Sequence, residues 1–271
     1  MSPRSVFQGD SLARAADYVE GRLAKAGWTV RRQNYRAHGV GCDNLEVERR
    51  GAVAPDEIVV IGAHYDTVPQ TPGADDNASG VAALLALADA FAATQTDRTL
   101  RFVAFANEEP IFFQTMLMGS RVYARECRER QEQIVAMVSL EAIGYFSDEK
   151  RSQKYPFPLS LFYPSRATFV AVVGDRASRA LVKRVEKTLV ATKALPVESA
   201  SLPGRLQGVG WSDHWSFWQE GYPAVMVTDT AVFRNPHYHQ STDTPDTLDY
   251  ARLEAVVRGL RAVVAELAGA R

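Results

Sequence analysis

Two cysteines in 271 residues are too few for a disulfide framework or a thiolate metal site. Cys42 and Cys127 stand far apart and read as small buried residues, with one disulfide as the alternative. No apolar run approaches the length of a membrane span. The opening residues Met1-Ser2-Pro3-Arg4 lack the apolar core of a signal peptide, so the expectation is a cytoplasmic protein as written, or one whose leader has been removed. Neither sign of charge dominates: 31 Lys and Arg face 32 Asp and Glu. That balance argues against a basic nucleic-acid footprint and against an acidic tail. Internal repeats, low-complexity tracts and linkers are also missing, so one domain over residues 1–271 is expected.

Apolar residues are plentiful, at 46% of the chain, enough for a sizeable core. The most informative stretch is Ile58-Val59-Val60-Ile61 followed by Gly62-Ala63-His64-Tyr65-Asp66. A short continuous apolar run reads as a strand buried on both faces. His64 and Asp66 then sit where that strand emerges, the edge at which open α/β sheets bind ligands. A neutral imidazole ligates zinc, and a carboxylate two residues away can fix its tautomer.

The rest of the chain alternates. Helical spacing of Leu12, Ala15, Ala16, Val19 and Leu23 predicts a first helix, capped by Asp10 and stopped by Gly27. Edge strands are predicted over 28–36 and 44–48, and a buried helix over 81–93. Further strands follow over 99–106, 134–140, 169–173 and 223–228. Helices are predicted over 119–132, 176–192 and 249–267. Strands alternating with helices imply an α/β fold, a three-layer α/β/α sandwich around a mostly parallel, mixed sheet. The segment at about 146–165 is rich in aromatic residues and proline. It is too apolar for a free loop and is expected to wall a pocket at the carboxyl edge of the sheet.

Three predicted central strands run into potential metal ligands: His64, Glu109 and Glu141. Asp76 lies in the loop leaving the first, within Gly73-Ala74-Asp75-Asp76-Asn77-Ala78-Ser79-Gly80. Carboxylates gathered without cations repel one another and lose hydration, and divalent metals remove that cost. With Asp76 bridging, two ions about 3.5–4 Å apart would suit hydrolysis of a carbonyl compound. One of Asp75 and Asp76 is expected to be only a turn or capping residue. His214 reads as a hydrogen-bonded structural histidine. His237 and His239 compete for one role, and spacing does not choose between them.

These motifs, with Glu108-Glu109 and His239-x-x-x-Asp243-Thr244, resemble in order and spacing the co-catalytic di-zinc aminopeptidases. That group is family twenty-eight of the metallopeptidases, which also holds glutamate carboxypeptidases and is related to glutaminyl cyclases. The likeness runs from about residue 12 to 267. It implies a zinc-exopeptidase-like fold with two Zn²⁺ (Co²⁺ or Mn²⁺ as substitutes) bound by His64, Asp76, Glu109, Glu141 and His239, Asp76 bridging. It implies that Glu108 is the general acid/base, that Asp66 orients His64, and that His239 rather than His237 is the ligand. Ser212-Asp213-His214 also matches a family segment and is given a supporting role. Two departures stand out: Glu141 replaces an aspartate found in many members, and the link over 110–118 is longer and more apolar.

The implied activity is hydrolysis of the peptide bond next to a free N-terminus, on peptide or amino-acyl substrates. Rivals on the same scaffold are a carboxypeptidase or dipeptidase, with Arg121, Arg166, Arg205 or Arg234 as carboxylate binders, and a single-zinc glutaminyl cyclase-like transferase. Retention of every ligand weighs against a non-enzymatic scaffold.

Overall fold

The structure is a computed structural model describing residues 3–270. A mixed eight-stranded sheet forms the middle layer, in the order β1-β2-β4-β3-β5-β8-β6-β7. Its strands are β1 (Arg31–Ala37), β2 (Val40–Arg49), β3 (Ala54–His64), β4 (Arg98–Phe105), β5 (Gln133–Glu141), β6 (Val170–Gly174), β7 (Val197–Ser201) and β8 (Ala224–Thr228). The centre, β4-β3-β5-β8, is parallel, as is β6 with β7. Antiparallel pairing joins β1 to β2, β2 to β4 and β6 to β8.

The helices are α1 (Gly9–Lys25), α2 (Gly80–Phe91), α3 (Gly119–Glu129), α4 (Arg179–Thr192), α5 (His214–Gln219) and α6 (Tyr250–Ala268). Helices α1, α2, α4 and α6 pack the larger core on one face, where Leu84, Val185 and Val263 are wholly buried beside Val59, Ile61 and Val138. On the other face α3 and α5 bury Tyr123, Cys127 and Phe217 against Val60, Phe105 and Met137. The core stretches Ile58–Ile61 and Phe102–Phe105 are buried on both faces, which is why they read as continuous apolar runs and not as alternations.

Most expected elements appear within a few residues of their predicted bounds. Asp10 lies in the first turn of α1 and does not cap it; Gln8 precedes the helix. Cys42 and Cys127 are both free and buried. Strand β7 and helix α5 had no counterpart in the sequence reading. Every residue of β7 is half-buried, so its sequence shows no alternation, and α5 is too short for a helical period. Because α3 and α5 cover only part of their face, an open cleft remains over β8, β6 and β7. Tyr155, Pro156, Leu159 and Tyr163 of the aromatic segment wall it.

Candidate active site

Strands β3, β4 and β5 lie side by side and parallel, so their carboxyl ends open on one edge. His64 is the last residue of β3 and Glu141 the last of β5. Beyond β4 the chain turns at Asn107, whose φ of 57° lies in the left-handed region that asparagine tolerates. That turn delivers Glu108 and Glu109 to the same edge. Gly73 also takes a left-handed φ, of 63°, and a Cβ there would collide with Thr67 and with the Asp76 carbonyl. The tight loop it permits carries Asp76 inward.

Two sets of ligand atoms result. His64, Asp76 and Glu141 form one, and Asp76, Glu109 and His239 form the other. His64 Nε2 lies 3.2 Å from Asp76 Oδ1 and 3.2 Å from Glu141 Oε2. His239 Nε2 lies 3.1 Å from Asp76 Oδ2 and 3.2 Å from Glu109 Oε2. Asp76 thus turns one oxygen to each set. Both ring nitrogens of His64, Asp76 Oδ1, Glu109 Oε1 and His239 Nε2 are buried without a hydrogen-bond partner among the described residues. Orphaned buried polar atoms are costly. A donor set of two imidazoles and three carboxylates, with no thiolate, fits zinc and related divalent ions.

The electrostatics agree. Burial pushes Glu109 up to about 8, helped by the charge of Asp76. Burial also raises Glu108 well above the carboxylate range, with Glu141, Glu109 and Asp213 adding repulsion and His64 opposing them. For His239 burial works the other way, but the Asp76 and Glu109 carboxylates overcome it and hold the imidazole at about 10. Left to protons alone, the cluster retains several that divalent cations would replace.

The supports around these residues are long-range. Asp66 faces His64 Nδ1 at 3.4 Å and also accepts the backbone N–H groups of Glu108 (3.0 Å) and Glu109 (3.2 Å). Asp243 accepts the N–H groups of Asp75 and Asp76. Ser212 donates to Glu141 Oε2 at 2.8 Å. Arg4 ties the loop down by donating to the carbonyls of Tyr65, Pro72 and Gly73. The roles of Asp243 and Arg4, and the second role of Asp66, were not legible beforehand, since each joins residues distant in sequence.

Other expectations resolve here. Asp75 stands outside both ligand sets: its carboxylate accepts from Gly144 N and Asn235 Nδ2. It is a structural residue but not a cap, because Asn77 Oδ1 takes the Gly80 N–H at the start of α2. His214 is buried, donates through Nε2 to the Val209 carbonyl at 2.7 Å, and is pushed down to about 4 by burial. Asp213 lies fully buried behind the cluster, pushed up to about 7 by burial. His237 bonds Thr242 and belongs to neither set; His239 belongs to one.

Residues 44–264 match Peptidase family M28. The chain is 39% identical over 267 residues to the uncharacterized protein YfbL of Escherichia coli (strain K12), covering 95% of this chain and 81% of that protein. It is 26% identical over 227 residues to a probable leucine aminopeptidase 1 of Trichophyton verrucosum (strain HKI 0517), covering 78% and 55% respectively. The chain spans about half the length of several leucine aminopeptidases that it matches. Among solved structures, the Legionella pneumophila LapA aminopeptidase superposes with a TM-score of 0.77 at 22% identity, covering 98% of this chain and 68% of that one. A glutaminyl cyclase of Tannerella forsythia gives 0.68 at 20% identity, covering 97% and 92%. These two structures share the fold.

Proposed function

The chain belongs to peptidase family M28, and from that premise we propose that it is a two-zinc aminopeptidase. The observation that carries this reading is the pair of ligand sets meeting at Asp76, with the Glu108 carboxylate feeling the charges of His64, Glu141 and Glu109 within them. His64, Asp76 and Glu141 would hold one ion, and Asp76, Glu109 and His239 the other. Zinc bound there would polarise the scissile carbonyl and lower the pKa of the attacking water. Glu108 is the proton carrier. It takes the proton from the water as the carbonyl is attacked and returns it to the leaving amine. Asp66 positions it by holding the Glu108 and Glu109 amides, so the carrier and a ligand are set by one buried carboxylate.

The cleft beside the cluster favours an aminopeptidase over a carboxypeptidase. Among the described residues no lysine or arginine lines it, while Glu141 and Glu198 do. A carboxypeptidase needs a cation for the substrate carboxylate. Arg121 is engaged by Glu220. Arg234 gives Nε to Gln153 and Nη1 to the Phe169 carbonyl, and although its buried Nη2 has no hydrogen-bond partner among the described residues, it does not line the cleft. Arg166 and Arg205 do not reach the cleft lining.

The test is a panel of amino-acyl p-nitroanilides, their N-acetylated counterparts, and an N-terminal glutaminyl peptide, each with zinc-loaded protein. Cleavage of the free amino-acyl anilides but not the acetylated ones supports the reading. Ammonia release from the glutaminyl peptide, with no anilide cleaved, would replace it with a cyclase.

A further inference from the structure

The sheet register places a second carboxylate in line with the ligand cluster. Glu141 on β5 pairs with Thr228 on β8, Thr228 with Ala171 on β6, and Ala171 with Glu198 on β7. Partners across a ladder point to the same face. The row Glu141-Thr228-Ala171-Glu198 therefore forms the floor of the cleft, with a carboxylate at each end and two small residues between. Tyr155, Tyr163 and Phe233 stand over this floor as apolar walls. The rings of Tyr155 and Tyr163 stack with centroids 5.7 Å apart, and the Tyr163 hydroxyl is fixed on the Ser199 carbonyl.

Glu198 is half-buried and its carboxylate has no hydrogen bond or ion pair among the described residues. The charge that it feels most is the like charge of Glu186 on α4, and that repulsion adds to burial in raising its carboxyl. Strand β7 is the sheet edge, and edge strands often carry a charge that discourages pairing with other chains. Such a charge needs only solvent, however, and Glu198 forms one end of the floor of a largely apolar cleft.

We propose that this cleft receives the side chain of the substrate's N-terminal residue and that Glu198 selects lysine or arginine there. The inference rests on the aminopeptidase reading. The dimensions fit: Glu141 and Glu198 are three strand spacings apart, about 14 Å between backbones. Both side chains rise from the same face, and the Glu141 carboxylate is turned to His64. The span is therefore bridged by the substrate backbone at the cluster, a lysine or arginine side chain reaching about 6–7 Å from its Cα, and the Glu198 side chain. The aliphatic stem would lie over Thr228 and Ala171 against the tyrosine rings. The cation would meet Glu198, with the ring faces adding attraction.

The test uses the zinc-loaded protein with lysyl, arginyl, norleucyl and leucyl p-nitroanilides. Norleucine is the lysine stem without the ammonium. The expected result is a higher kcat/KM for lysyl than for norleucyl substrate, with that ratio falling about tenfold in Glu198→Gln. A half-exposed pair sits at the weak end of charge-assisted contacts, so a much larger fall is not expected. Glu186→Gln, outside the cleft, should leave the ratio in place, and unfolding temperatures of both variants monitor the fold. A ratio unchanged in Glu198→Gln, or a parent protein that prefers norleucine, overturns the assignment and leaves Glu198 as an edge charge. Binding of lysinamide against norleucinamide, followed by calorimetry, separates the two claims. Lysinamide binding that depends on Glu198, with no anilide cleaved, upholds the subsite and sinks the aminopeptidase reading. Anilide cleavage with no preference for lysinamide does the reverse.

Discussion

Asp66→Asn is the substitution whose effect follows most directly from the geometry. The residue is 2% exposed and its side chain keeps its volume on change to asparagine, so no cavity opens. The carboxylate serves three groups: His64 Nδ1 and the amides of Glu108 and Glu109. Asparagine keeps one acceptor oxygen. Its NH₂ must then face either an amide donor or the imidazole. Losing a hydrogen bond to a charged group costs about 1.5–3 kcal/mol. In the metal-free protein that cost is partly offset, because one negative charge leaves a crowded carboxylate cluster. In the zinc-bound protein there is no such relief, since cations have already neutralised the cluster. The expected outcome is a small change in metal-free stability together with a loss of about 10–100-fold in zinc affinity, equal to about 1.4–2.7 kcal/mol. Zinc titration against a chromophoric chelator measures the affinity, and urea unfolding of the metal-free form measures the stability. Parent-like zinc affinity and turnover in this variant would show that Asp66 is an ordinary turn residue.

Glu108→Gln should lower turnover at saturating zinc by at least about 10²-fold, the smaller end of general acid–base contributions, with metal content unchanged. Glu109→Gln should instead lose metal on dialysis and recover part of its activity in excess zinc; the opposite pattern would exchange the two roles. His239, held at about 10 in the metal-free cluster, must be neutral to ligate, so zinc binding at pH 7 should release at least about one proton per chain. Calorimetry in buffers of different ionisation enthalpy counts those protons, and a buffer-independent enthalpy would refute the expectation. His214, pushed from 6.5 to about 4 by burial, stays neutral in the fold while the unfolded chain takes up its proton near 6.5. Stability from this residue is therefore complete above pH 6.5 and declines as pH falls from 6.5 to 4, by up to about 3 kcal/mol; a His214→Gln variant should lack that slope in denaturant titrations.

The candidate site was legible in the sequence wherever one strand carried its own evidence. The runs before His64, Glu109 and Glu141 are buried on both faces, so their composition alone marks central strands, and the charges at their ends stand out against it. The half-buried polar strand Val197–Ser201 left no such mark, and with it went Glu198 and the far wall of the cleft. The first residues of β3, Ala54 to Glu57, include Pro55 and Asp56, which masked the start of that strand. The supports of the cluster were hidden for another reason. Asp243 holds the Asp76 loop across 167 residues, and Arg4 reaches residues 65, 72 and 73 from the start of the chain. Contacts of that range depend on the assembled fold and not on local pattern.

The pairing of two ligand sets through Asp76 is tested most directly by counting metal. Metal-free protein is titrated with zinc, dialysed, and analysed by mass spectrometry for zinc per chain. The parent should retain two equivalents, and Asp76→Ala, which removes a ligand from both sets, should retain fewer than one. A parent protein that never holds more than one equivalent, however carefully loaded, would contradict the two-ion centre and favour a single-zinc, cyclase-like site.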